Sequence, residues 1–176
     1  MRTRVFLLSA LAAVALAAGS VTAIAVAVSS GQASPACRPA SLPGTQVTVV
    51  LSDMGAMMNG GTMRGSMMVH VTPQSVPAGR VSFVALNHGT VTHELIVLLL
   101  ASSASPGSRA VGVDNRVSEE GSLGEASNDC AADAGEGIAP GQASWVTMVL
   151  KPGRYELLCN LPGHYAAGMY AELDVT

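Results

Sequence analysis

Cys159-Asn160-Leu161-Pro162-Gly163-His164-Tyr165-Ala166-Ala167-Gly168-Met169 is the stretch on which the fold turns. A thiol, an imidazole and a thioether share this one segment, with four residues between Cys and His and four between His and Met. Soft sulfur combined with borderline nitrogen suits an ion that passes between Cu(I) and Cu(II). A trigonal His, His, Cys set with a weak axial Met is the electron-transfer geometry. The segment supplies three of those four donors, so a second imidazole must come from elsewhere. The candidate is His93, in Asn87-His88-Gly89-Thr90-Val91-Thr92-His93-Glu94, directly before the apolar run Leu95 to Leu100. A turn feeding a strand would present it. His88, at the tip of that turn beside Gly89, is the rival and is expected in solvent; His70 reads as a surface residue in mid-strand.

The segments around this stretch alternate as half-buried strands do. Upstream, Arg154 to Cys159 puts Tyr155, Leu157 and Cys159 on one face, after the turn signal Lys151-Pro152-Gly153. Downstream, Met169, Ala171, Leu173 and Val175 share a face. Farther out, Ala143 to Leu150, Arg80 to Leu86, Met67 to Thr72 and Gln46 to Ser52 are strands as well. His93, Leu95, Val97 and Leu99 have one parity, but Ile96, Leu98 and Leu100 are apolar too, so parity leaves the buried face open. Seven short strands separated by turns predict an antiparallel β-sandwich. Residues 101–139 are polar and longer than an ordinary connection, with room for a short helix over Val117 to Ala126. His93 and Met169 each begin a strand and Cys159 ends one, so neighbouring strands can bring all three to one pole. Pro162 and Gly163 then set the direction of His164, whose edge would be ringed by Leu161, Tyr165, Ala166 and Ala167.

The Asn-x-Gly turn leading to His93, the Pro-Gly-Arg-Tyr-Glu-Leu-Leu-Cys approach and the CxxxxHxxxxM loop together resemble the cupredoxins, the blue copper proteins. The loop spacing is most similar to the sulfocyanin and rusticyanin type, plastocyanin-type loops being shorter between Cys and His. The resemblance covers roughly residues 45–176 and implies a Greek-key sandwich with one type 1 copper held by His93, Cys159, His164 and Met169. It departs at Glu94, where several family members carry an Asn that steadies the loop around the Cys.

Composition adds boundaries. Residues 5–28 are apolar or small throughout and follow Arg2 and Arg4. A cleaved signal peptide and an uncleaved membrane anchor, which would add a hydrophobic helix, fit this segment equally. Either one exports the chain, placing it on the outer face of the cytoplasmic membrane, in the periplasm or in the medium. Residues 29–45 read as a flexible linker and residues 46–176 as the cupredoxin domain, a monomer. Aromatics are scarce, leaving Phe83, Trp145 and Tyr155 as the large core pieces. With Cys159 assigned to copper, Cys37 and Cys130 remain to pair as a disulfide, which an oxidising compartment preserves.

The formal charge of −3, or −5 without the two N-terminal arginines, argues against nucleic acid. Residues 101–139 hold seven carboxylates against Arg109 and Arg116, a solvated loop or a guide for a basic redox partner. Six of the nine methionines, Met54, Met57, Met58, Met63, Met67 and Met68, crowd into the segment 54–68. They read either as flexible packing or as a secondary Cu(I) site. Function therefore divides between a carrier of single electrons between transient redox partners, with no enzymatic step, and a copper-delivery protein using the methionine segment.

Overall fold

The computed structural model describes Cys37, Pro39, residues 41–54 and residues 66–176. The N-terminal apolar segment, most of the linker, and Met57, Met58 and Met63 lie outside the described residues, as does the side chain of Met54. Among the described residues no helix is long and apolar enough to cross a membrane.

Nine strands are described: β1 (Thr45–Met54), β2 (Ser66–Thr72), β3 (Ser75–Val76), β4 (Gly79–Asn87), β5 (Leu95–Leu100), β6 (Ser122–Ala126), β7 (Ala143–Leu150), β8 (Gly153–Leu158) and β9 (Tyr170–Val175). They form two sheets, ordered β2-β1-β4-β7 and β3-β9-β8-β5-β6. The ladders are antiparallel except for β1 with β4 and β3 with β9, which run parallel. The seven expected strands are all present. The two additions, β3 and β6, are short and lack an apolar alternation that would announce them. In particular, Ser122–Ala126 is not helical. Its backbone pairs with β5, Leu95 opposite Ala126 and Ile96 opposite Glu125, and that ladder decides the state of a segment with no helical periodicity of its own.

The core lies between the sheets. Val47, Val49 and Leu51 of β1, Phe83 and Ala85 of β4, Leu95 and Val97 of β5, and Tyr155 and Leu157 of β8 face inward and are buried. Removing such side chains from water contributes on the order of 1.5–3 kcal/mol each. Trp145 is only partly buried, because it has the opposite parity to the inward Val146 and Met148. The open question about β5 has a two-sided answer. Its other face, Ile96 and Leu98, packs with Val117, Leu158 and Tyr165 in a second apolar cluster outside the sandwich. The 101–139 segment supplies Val117 to that cluster, so it covers a sheet face as well as meeting solvent.

Cys37 and Cys130 form a disulfide across 93 residues of sequence, fastening the segment before β1 to the long loop.

Candidate metal centre

The turn before His93 is closed from its β4 end by the Asn87 side chain. Asn87, fully buried at the end of β4, accepts the Gly89 N–H at 2.8 Å through Oδ1. Its Nδ2 donates to the carbonyls of Val91 at 2.8 Å and Ile138 at 2.7 Å. An Asn side chain that closes the chain back on itself in this way is a turn with a mechanism. The turn delivers His93, whose backbone exchanges two hydrogen bonds with Ile138, at 3.1 and 2.7 Å. Burial of His93 is complete.

Cys159 lies just past β8. Its N–H donates to the Met169 carbonyl at 3.1 Å, and the Met169 N–H donates to the His164 carbonyl at 3.1 Å. The 159–169 segment is thus closed on itself by backbone bonds. Gly163 adopts φ +84°, a value L side chains rarely take, and this reverses the chain ahead of His164.

Three donor atoms converge. His93 Nδ1 is 3.2 Å from His164 Nδ1, and Cys159 Sγ is 3.3 Å from His164 Nδ1. All three residues have donor atoms within 4.8 Å of one another. An ion at roughly 2.0–2.3 Å from each donor spreads a trigonal set about 3.5–4 Å apart, so the triangle has the size such an ion needs. Met169 is buried at the base of the loop with its backbone bonded as above. His88 is exposed and stands outside the cluster, as does His70.

Electrostatics match a site for a cation. Burial pulls His93 below the ordinary imidazole value, with Asp53 opposing. Burial also lowers His164, helped by the neighbouring His93. Both rings are therefore neutral donors at neutral pH. Burial pushes the Cys159 thiol up to about 12; an entering metal replaces that proton. The Glu94 N–H, just before β5, donates to Cys159 Sγ at 3.4 Å.

The departure noted at Glu94 resolves here. Its carboxylate is buried and accepts the Asn160 N–H at 3.0 Å, so a glutamate steadies the residue after Cys159. Burial and the nearby Glu125 raise its carboxyl to about 7.

A model of the sulfocyanin (SoxE) domain matches residues 45–176. The chain belongs to the sulfocyanin family. A sulfocyanin is a blue copper cupredoxin, and its cofactor is one type 1 copper. Solved structures similar to this sulfocyanin domain include rusticyanin from Thiobacillus ferrooxidans, 21% identical over 76% of this chain and 79% of that one, with a TM-score of 0.46. Auracyanin from Roseiflexus castenholzii is 19% identical over 76% of this chain and 99% of that one, with a TM-score of 0.46. Auracyanin A from Chloroflexus aurantiacus, a blue copper protein, is 18% identical over 74% of this chain and 99% of that one, with a TM-score of 0.43. No curated protein matches the chain in sequence.

Several residues that frame the sulfocyanin site escape a reading of the sequence. Asp53, at the end of β1, accepts a hydrogen bond from His93 Nε2 at 3.0 Å across 40 residues, a separation that leaves no local trace. Asn160 holds the long loop: its Oδ1 accepts the Val117 N–H at 2.7 Å, and its Nδ2 donates to the Val117 carbonyl at 2.9 Å and to Glu119 at 2.6 Å. Glu156, fully buried on β8, accepts the Gly107 N–H at 2.7 Å, the Tyr165 hydroxyl at 3.0 Å and Arg109 Nε at 2.5 Å. A lone carboxylate between Tyr155 and Leu157 marks the position as unusual in the sequence but does not point to these partners. Tyr165 consequently points inward, 2% exposed, and is not part of the rim around His164 that the sequence suggested. The chain neighbours of His164, Leu161, Pro162, Ala166 and Ala167, are all at least partly exposed. Of the methionine segment, Met67 packs against the core and Met68 is 46% exposed.

Proposed function

We propose that His93, Cys159, His164 and Met169 hold the copper, and that the domain carries single electrons between transient protein partners outside the cytoplasm. The observation behind this reading is the triangle of His93 Nδ1, His164 Nδ1 and Cys159 Sγ, of which only His164 reaches the surface. When bound, the copper supplies a one-electron couple. The chain does the rest. Two neutral imidazoles and one sulfur are fixed by the Asn87 turn, the Ile138 bridge and the self-bonded loop, so little in the donor set moves when the charge changes. Such preorganisation keeps the reorganisation energy low. Four protein donors leave no open position for a substrate, which favours a carrier over a copper enzyme. The apolar rim about His164 offers a small dry contact for brief docking, with His164 as the route for the electron.

Export is supported by the Cys37–Cys130 disulfide, since such bonds persist in oxidising compartments and are rare in the cytosol. In this reading residues 1–28 are a signal peptide or anchor, residues 29–45 a tether and residues 46–176 a monomeric working domain. Protein-film voltammetry of the copper-loaded protein tests the carrier role. A reversible one-electron wave is expected; copper lost to an acceptor with no reversible wave would replace the carrier with a delivery protein.

A further inference from the structure

Among the groups around the centre, Asp53 is a carboxylate that touches a proposed ligand without being one. Its Oδ1 accepts from His93 Nε2 at 3.0 Å and from the Thr90 N–H at 2.6 Å, while Oδ2 accepts the Thr90 hydroxyl. The Val91 N–H adds a longer contact of 3.4 Å. Four donors thus fix the carboxylate on the far side of the His93 ring from the donor triangle. Gly89 roofs the pair. A Cβ added there would lie 1.8 Å from Asp53 Oδ1 and 2.6 Å from His93 Nε2, so the contact requires a residue without a side chain at that position. The Asp53 side chain is 12% exposed and that of His93 not at all, which leaves the hydrogen bond largely shielded from water.

We infer that Asp53 is a positioning residue for the copper site: it fixes the tautomer of His93 and sets the reduction potential by favouring Cu(II). The inference rests on His93 being a ligand. Because His93 Nδ1 faces the triangle, the ring proton must sit on Nε2, where it meets Asp53. A carboxylate accepting that proton holds the ring's rotation and strengthens Nδ1 as a donor. A stronger donor stabilises the more highly charged ion, so Cu(II) gains more than Cu(I) and the potential falls. The arrangement also joins the two sheets at the pole, since Asp53 is the last residue but one of β1 in one sheet and His93 precedes β5 of the other.

The test uses the copper-loaded full chain, its midpoint potential from a redox titration, and the His93 Nε2 proton in NMR spectra of the diamagnetic Cu(I) form. His93→Ala comes first: loss of the blue colour upholds His93 as a ligand, whereas retained colour removes that reading whatever Asp53 does. Asp53→Asn keeps an acceptor and removes the charge. It should keep the colour and lower the preference for Cu(II) over Cu(I) by about tenfold, equivalent to a rise of about 59 mV for one electron. Gly89→Ala keeps the carboxylate but pushes it off the ring, and should shift the potential the same way while exposing the Nε2 proton to exchange. Thr90→Val weakens the turn without touching His93; it should lower the melting temperature yet move the potential less than a third as far as Asp53→Asn. A potential in Asp53→Asn equal to or below that of the wild type, or a Thr90→Val shift as large as that of Asp53→Asn, would overturn the inference. Should Asp53→Asn fail to fold, Gly89→Ala decides alone, and an unchanged potential there overturns it.

Discussion

The two loops at the copper pole make opposite use of sequence. The 159–169 loop is short and rich in donors, and its backbone closes on itself through Cys159, His164 and Met169. The 101–139 segment is long and acidic and holds no His, Met or free Cys, yet it braces the first at separate points. The Asn115 carbonyl accepts the Gly163 N–H at 2.9 Å. Val117 and Glu119 bond Asn160, and the Arg109 N–H donates to the Tyr165 hydroxyl; outside the 159–169 loop, Arg109 also bonds Glu156 of β8 and Ile138 bridges His93. The disulfide then ties the brace to the start of the domain. In the proposed reading one loop supplies the chemistry and the other holds it still. Changes in the first should remove colour, and changes in the second should remove stability.

The largest expected effect is on the donor side. Cys159→Ser should abolish the intense visible absorption of the copper-loaded protein while the Cys37–Cys130 disulfide and the far-ultraviolet strand signal persist. Colour surviving that change would dissolve the distinction between the loops.

On the bracing side, replacing both Cys37 and Cys130 with Ser opens a long covalent loop and should lower unfolding stability by about 2–4 kcal/mol in denaturant titrations. Glu156→Ala leaves Arg109 and Tyr165 without their acceptor. Arg109 is a quarter exposed, so the loss should be about 2–3 kcal/mol, below that of a fully buried pair. Asn160→Ala strands the buried Val117 N–H and should lower stability by about 1–3 kcal/mol, with faster hydrogen exchange confined to residues 111–119. The copper absorption should stay within a few per cent of its position in the last two variants. A lost or displaced band in either would make the brace part of the electronic site.

The smallest effect belongs to the rim. Ala166, exposed beside His164, can be changed to Lys with neither absorption nor stability altered, because surface substitutions usually stay within ±0.5 kcal/mol. Stopped-flow electron exchange should slow, in a manner that depends on salt.

What could be read from the chain follows the same division. Cys159 and His164, which the structure brings together with His93, stood out because their donor types are rare together and lie close in sequence; the inward residues of β1, β4, β7, β8 and β9 were legible because alternation is local. His93 required only a turn before an apolar run. Asp53, Asn160 and Glu156 were not legible as framing groups, since each acts on a residue or loop that only tertiary folding brings near. Ser122–Ala126 lacked any pattern and became a strand by pairing with β5. Trp145 was misread as core by size, although its parity pointed outward. The acidic residues of the long loop suggested a solvated loop or a guide for a basic partner, while Val117 among them carries an apolar contact to Ile96 and Leu98.

X-ray absorption fine structure at the copper edge of the oxidised protein bears most directly on the convergence of His93, Cys159 and His164. One short sulfur scatterer and two imidazole nitrogens are predicted, with the sulfur shell lost in Cys159→Ser and one imidazole lost in His93→Ala. A shell of nitrogen and oxygen alone, or an unchanged spectrum in His93→Ala, would contradict it.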